Sequence, residues 1–264
     1  MVDLLQKVWR DEDVPESFAK AVFVMLYKQK GSSDDPTKYR CIGLLGHAYK
    51  TLSQCMLHRL NIETNGALSD WQSGFRKMRG CRDNVMVLRT IFDDVMEQGR
   101  EMCATFIDYS AAFDSVSHKY LDRALQKAGA SIKSRRMFRA IYSAASAVTK
   151  VESIDGKIVM SPTFPIRRGV VQGDITSPLY FILALELILK EHDTNPHKGV
   201  DFGGTKVHTL GYADDAALLG YDASTATARV SQISEGSRKD ADMHISVPKT
   251  KCMHVRSQEP VTWR

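Results

Sequence analysis

No apolar run in this chain is long enough to cross a bilayer, which takes about 18 residues. The nearest, Leu179 to Leu189, is shorter and is interrupted by Glu186. The opening segment, Met1 to Arg10, mixes Asp3, Lys7 and Arg10 with apolar residues and lacks the plan of a secretory leader. These absences point to an intracellular protein of the nucleus, the cytoplasm or both, with no membrane contact. Cysteine is sparse and scattered: five residues, at 41, 55, 81, 103 and 252, with no CxxC pair. That argues against a disulfide framework or a zinc site and fits a reducing compartment. Cys252-Met253-His254 offers half a metal site with no second pair nearby. No internal repeat or low-complexity tract is present, and neither sign of charge dominates. The 36 Lys and Arg against 31 Asp and Glu leave a net charge of +5. A length of 264 residues suffices for one large domain or two modest ones.

The small basic excess is unevenly distributed. Arg76, Lys77, Arg79 and Arg82 cluster, as do Lys133, Arg135, Arg136 and Arg139; Arg167-Arg168 and Lys249 with Lys251 follow. Phosphate-binding surfaces are built from such clusters, and so are ordinary solvated faces. Between them the apolar spacing predicts strands over Ala21 to Tyr27 and Met102 to Ile107. It predicts helices over Leu44 to Leu60, Asp83 to Met96, Pro178 to Lys190 and Ala223 to Asp242. Ser117 can cap a helix that Gly129 ends, and Asp155-Gly156 suits a two-residue hairpin turn within Val148 to Met160. His244 to Val255 reads as extended or as a second hairpin. Strands and helices mix without βαβ alternation, which favours an α+β fold with a helix-covered sheet.

Against this background Tyr212-Ala213-Asp214-Asp215 stands out. Apolar residues flank it on both sides, from Leu210 to Leu219, so it reads as strand, tight turn, strand with two carboxylates at the tip. Like charges in so small a space raise each other's pKa, and a divalent cation would relieve them. A solvated hairpin turn is the plainer alternative. Asp108 ends the apolar strand Thr105-Phe106-Ile107, where a sheet would fix a metal ligand in place, and Asp114 follows within Ala112-Phe113-Asp114. Capping is an alternative role for both.

Taken in order, these segments resemble the reverse transcriptases of non-LTR (LINE-like) retrotransposons, from about Val22 to about Met253. Phe106 to Asp114 (FIDYSAAFD) resembles the family's first palm motif, and Arg168 to Leu179 (RGVVQGDITSPL) its second. Tyr212 to Asp215 (YADD) matches the third, and Pro248-Lys249-Thr250-Lys251 resembles the fourth. Upstream, Tyr39 to Leu45 (YRCIGLL) and Gln72 to Arg76 (QSGFR) resemble finger motifs.

The resemblance implies a right-hand polymerase, with fingers over 1–100 and an antiparallel, helix-covered palm over 101–264. A thumb is expected to be missing, since the chain stops at Thr262-Trp263-Arg264. It implies an RNA-directed DNA polymerase that extends a DNA or RNA primer on an RNA template with dNTPs. Asp108 and Asp214, with Asp215 assisting, would hold two Mg²⁺ ions, for which Mn²⁺ could substitute. Lys249, or Lys251 two residues on, would protonate the departing pyrophosphate. Phe113 would be a steric gate against ribonucleotides; a core phenylalanine is its alternative. Arg76, Tyr109, Gln172 and Gly173 would contact the nucleotide, and Lys77, Arg79, Arg168, Gly169 and Tyr212 the nucleic acid. Cys41 and Gly43 depart from the proline and serine usual in the family, and Pro248 is an unusual constraint before Lys249. A second reading is a catalytically incomplete retroelement remnant that only binds RNA or RNA–DNA hybrid. An intron-encoded reverse transcriptase fits the quoted strings less closely.

Overall fold

The computed structural model describes residues 1–152, 155–195 and 197–255. The terminal Thr262-Trp263-Arg264, on which the expectation of a missing thumb rests, lies outside them. In chain order the elements are α1 (Val2–Asp11), β1 (Lys20–Tyr27), β2 (Tyr39–Leu44), α2 (His47–Glu63), α3 (Cys81–Glu97) and β3 (Met102–Ile107). Next come α4 (Ala112–Ser115), α5 (His118–Lys127), α6 (Ile132–Ala144), β4 (Ser146–Glu152), β5 (Ile158–Met160) and β6 (Phe164–Pro165). The chain ends with α7 (Ser177–His192), β7 (Val200–Phe202), β8 (Thr205–Val207), β9 (Thr209–Tyr212), β10 (Asp215–Gly220), α8 (Ala223–Ala241) and β11 (Lys251–Val255). The elements expected from apolar spacing are all present, and the mixture of helices with largely antiparallel sheets is an α+β fold.

The chain divides into two compact units, each assembled from two separated stretches. The first comprises Met1–Ala67 and Phe113–Phe181. Its sheet runs β2-β1-β4-β5, with β6 also on β4; β1 and β2 pair antiparallel, whereas β1 and β4 pair parallel. Ala21, Ala147 and Val171 form an apolar core beside it. Ser117 caps α5 as expected, accepting from the Tyr120 amide at 3.3 Å. The connection after β4 is longer than the expected two-residue hairpin. The last register pair is Glu152 with Ile158, so Asp155 and Gly156 sit within a wider loop. Helix α6 has no counterpart among the elements expected from apolar spacing. Its Met137, Phe138 and Ile141 are buried at helical spacing, and its basic face is already matched with acids. Lys133 meets Glu12 at 2.9 Å and Arg135 meets Asp122 at 2.8 Å, with Arg136 and Arg139 farther out on the same two carboxylates. This cluster is a paired surface first.

The second unit comprises Leu68–Ala112 and Ile182–Arg264. Its sheet, β11-β3-β10-β9, is antiparallel throughout, with β3 at the centre between two strands from the far end of the chain. Alternate residues of β3 and β10 face opposite sides. Met102, Ala104, Ala217 and Leu219 pack with Ile91 and Val95 of α3. On the other side the sheet meets α8, where the buried Tyr109 bonds Ser237. Arg229 of α8 is fully buried, its guanidinium forked onto Asp193 at 2.9 and 2.8 Å. Two backbone carbonyls, of Leu219 and His208, accept its remaining reach and tie α8 to the sheet.

Candidate active site

The Asp pair sits where the apolar spacing put it. Tyr212 pairs with Asp215, so β9 and β10 are joined by Ala213 and Asp214 alone. Ala213 takes φ 57°, a left-handed conformation that this tight turn demands and that alanine adopts at a cost. What holds it there is Gln72, which is fully buried. Its Oε1 accepts from the amides of Ala213 (3.0 Å) and Gly74 (2.8 Å), and its Nε2 donates to the Ala213 carbonyl (3.2 Å). Gly74 packs so tightly on the Ala213 backbone that a Cβ would collide with it. The same segment runs alongside β9. The Ser73 amide and the Asn84 Nδ2 each donate to the Gly211 carbonyl at 2.8 Å, and the Gly211 amide donates to Trp71. The QSGFR string is thus a clamp on the acidic turn. Within it the sequence pointed to Arg76 alone, and nothing local in the sequence marked Gln72.

Asp108 leaves the end of β3 beside this turn. Ala216 pairs with Ile107, so Asp215 and Asp108 are the next residues along neighbouring strands and project from one face. Asp108 is pinned through its carbonyl, which accepts from Ser246 at 2.7 Å, and its Oδ1 accepts from Lys249 Nζ at 2.9 Å. Lys249 rides on a turn closed by its own amide and that of Thr250, both donating to the Ser246 carbonyl. Lys251 instead enters β11 opposite Phe106. Burial holds the Asp214 carboxyl above its ordinary range, reinforced by Asp215 and Asp108 and opposed by Lys249. Asp215 is also raised, by burial first and by Asp108 second. Among the described residues, one ammonium therefore faces three carboxylates and leaves them short of positive charge. Hard oxygen donors in that state fit a divalent cation such as Mg²⁺. Among the described residues, the group of potential ligands whose donor atoms all lie within 4.8 Å of one another is a different one, Glu191, His192 and Asp240.

This charge imbalance has a measurable sign. Asp214 and Asp215 are raised above their ordinary 3.8 in the folded state. Their contribution to stability is fully present below about pH 4 and is lost as pH rises through the raised values. In chelator, the gap in Tm between the Asp214→Asn/Asp215→Asn variant and the parent should therefore widen in the variant's favour between pH 4 and pH 7. Added Mg²⁺ should close that gap by stabilising only the parent. A gap independent of pH would show that the two carboxylates are not strained by burial and repulsion.

Other anticipated residues of this unit are placed less uniformly. Tyr109 is not brought to the carboxylates. It follows Asp108 and so points to the opposite face of the strand, where burial pushes its hydroxyl up to about 12. Tyr212 is partly exposed beside the turn. Arg76 spends Nη1 on the carbonyls of Ser69 (2.7 Å) and Gln72 (3.0 Å), and burial lowers its pKa. Arg79 is paired with Asp70 at 2.5 Å, while Lys77 is exposed.

The first unit carries the remaining set. Phe113 is half-buried and stacks on Phe181, ring centroids 4.2 Å apart and planes 20° from parallel. Its carbonyl accepts from Val170 at 2.7 Å, and Gly169 donates to Val116 at 2.7 Å, which lays the second palm motif along the first. Gln172 Nε2 donates to both oxygens of Asp114, at 3.1 and 3.3 Å. Its carbonyl accepts from the Gly43 amide at 2.6 Å. A side chain at Gly43 would strike Val171, and one at Gly173 would strike the Gly43 carbonyl. The unusual glycine at 43 is therefore matched to this loop. Asp174 is buried and accepts from Tyr49 (3.1 Å), Ser53 and Thr176 (2.8 Å). Arg168 is exposed and, with Phe23, Cys41, Asp114 and Gln172, lines a cavity of about 460 Å³.

The family model described as reverse transcriptase (RNA-dependent DNA polymerase) matches residues 27–263. The Pol polyprotein of the type-1 retrotransposable element R2 from Popillia japonica is 29% identical over 199 residues, 75% of this chain and 27% of that protein. The RNA-directed DNA polymerase from mobile element jockey of Drosophila melanogaster is 26% identical over 252 residues, 91% of this chain and 26% of that protein. The chain spans about a quarter of the length of these relatives. In fold, it aligns over 99% of its length with apo telomerase from Candida tropicalis truncated from its C-terminal domain. The TM-score is 0.62 at 11% identity, and 56% of that chain is covered. No helix of the described residues is long and apolar enough to cross a membrane. The chain belongs to the reverse transcriptase (RNA-dependent DNA polymerase) family and is homologous to the polymerases of non-LTR retrotransposons.

Proposed function

We propose that this chain extends a primer 3′-hydroxyl with dNTPs on an RNA template, as an RNA-directed DNA polymerase of a retroelement. The observation that carries the reading is the meeting of Asp108, Asp214 and Asp215 at neighbouring strand ends with, among the described residues, one ammonium, Lys249, in reach. Asp108 and Asp214, with Asp215 assisting, would hold two Mg²⁺ ions, which supply Lewis-acid stabilisation of the attacking and leaving oxygens. Lys249 is favoured over Lys251 as the acid that protonates departing pyrophosphate. Its turn aims it at Asp108, whereas Lys251 is committed to a strand.

Phe113 is the proposed gate against a 2′-hydroxyl, its ring held flat by Phe181. Gln172 and Gly173 remain the proposed nucleotide contacts, Gln172 with its amide oriented by Asp114. Arg76 keeps free guanidinium donors for phosphate after its two backbone bonds. Tyr109 passes to a packing role. Lys77, Arg168, Gly169 and Tyr212 are proposed along the nucleic acid, with Arg79 reduced by its pairing to Asp70. The division into fingers (1–100) and palm (101–264) is part of the same reading, and the strands β3, β9, β10 and β11 all fall in the palm range.

The test is primer extension on an RNA template with dNTPs and Mg²⁺ or Mn²⁺, beside the Asp214→Asn/Asp215→Asn variant. Extension by the parent alone supports the reading. A folded parent that binds template and extends nothing would leave an RNA or hybrid binder in its place. Within an active chain, Phe113→Ala should raise ribonucleotide incorporation relative to dNTPs by about tenfold or more, an ordinary range for one pocket contact. Unchanged selectivity would return Phe113 to the core.

A further inference from the structure

Two of the scattered cysteines converge in the fold. Cys103 lies on β3 opposite His254, and Cys252 lies on β11 opposite Thr105, so the two are diagonal neighbours on one face of adjacent antiparallel strands. Their sulfurs are 2.7 Å apart, within reach of a bond, and both are free thiols. Cys103 is buried, whereas Cys252 is open to solvent. Among the described residues β11 is an edge strand, joined to the sheet through β3. We propose that Cys103 and Cys252 are a thiol–disulfide exchange site for small-molecule disulfides, closing reversibly into a cross-link that clips the edge strand β11 to β3.

The order of events follows from access. The Cys252 thiolate attacks one sulfur of a small disulfide RSSR and expels one thiol, leaving a mixed disulfide on Cys252. Cys103, held within reach, loses its proton, attacks the Cys252 sulfur and expels the second thiol. Two protein thiols are oxidised, and one RSSR is reduced to two RSH. The reverse order is disfavoured because burial, with Cys252 alongside, pushes the Cys103 thiol up to about 11. Proximity makes the second step intramolecular and fast. In a reducing environment the pair stays open, and a rise in small disulfides closes it.

The experiment treats the full chain with oxidised glutathione and maps its peptides without reduction. A joined Cys103–Cys252 peptide pair, lighter by two hydrogens than its separate halves and released by dithiothreitol, is the expected result. The Cys103→Ser variant should stop at glutathione on Cys252, and the Cys252→Ser variant should leave Cys103 unmodified. Recovery of both residues as free thiols, or each with its own glutathione, overturns the proposal. So does a Cys103 that reacts equally well in Cys252→Ser.

Discussion

Replacing Asp214 by Asn is expected to cut primer extension by about a thousandfold or more while leaving the fold intact. The Lewis-acid stabilisation that carboxylate ligands secure is worth several kcal/mol, at tenfold in rate per 1.36 kcal/mol. Asparagine keeps the shape of the turn but surrenders the charge. Stability should move the other way. The Asp214 carboxyl is held above its ordinary range by burial and by Asp215 and Asp108, so its removal relieves repulsion in the metal-free chain. The pairing of an activity loss with an unchanged or raised Tm in chelator is the diagnostic, since a merely structural aspartate would lose both. Extension within tenfold of the parent would end the assignment of Asp214 as a metal ligand.

Gln72→Ala should be the most damaging substitution outside the carboxylates. It strips partners from the Ala213 amide, the Ala213 carbonyl and the Gly74 amide at one stroke. Each unmet buried group costs about 1–3 kcal/mol, so a loss of about 3–9 kcal/mol is expected, a large share of the ~5–15 kcal/mol of a typical domain. Ala213 would also be released from its left-handed conformation, and Asp214 would move with it. Gln72→Glu should also be costly, because it buries a carboxylate beside an acidic turn and sets an acceptor oxygen against the Ala213 carbonyl. Urea unfolding of the three proteins reads the difference. A cost under about 1 kcal/mol for Gln72→Ala would mean that Gly74 alone shapes the turn.

Legibility followed the range of the interactions. β3 was readable to the residue because Met102 to Ile107 is an apolar run ended by a charge; α7 was readable as a helix because it is strongly apolar, although it runs Ser177–His192 rather than Pro178 to Lys190. The acidic turn was readable because two adjacent aspartates between apolar strands can be accommodated only where the strands reverse. Gln72 was not, since its partner lies 141 residues away and nothing local marks an amide as buried. Tyr109 was misdirected by its place in a motif, although strand alternation already set it on the face opposite Asp108. Helix α6 was hidden by its own charges. The run of lysine and arginine read as a surface for phosphate, while Glu12 and Asp122, which neutralise it, come from other elements. The parallel pairing of β1 with β4 joins residues more than a hundred apart and leaves no periodic trace.

The position of β3 between β10 and β11 also bears on how the chain is made. Both neighbours of this central strand begin at Asp215 or later, whereas β3 ends at Ile107. A ribosome adding about 5–20 residues per second leaves the strand without either neighbour for on the order of ten seconds. Throughout that interval an apolar strand with two open hydrogen-bonding edges is exposed to other nascent chains. Closing so long a loop is slow as well. The sheet that gathers the aspartates can be completed only once β10 and β11 have been made, more than a hundred residues after β3, which makes this unit a natural client for chaperones that shield unpaired strands.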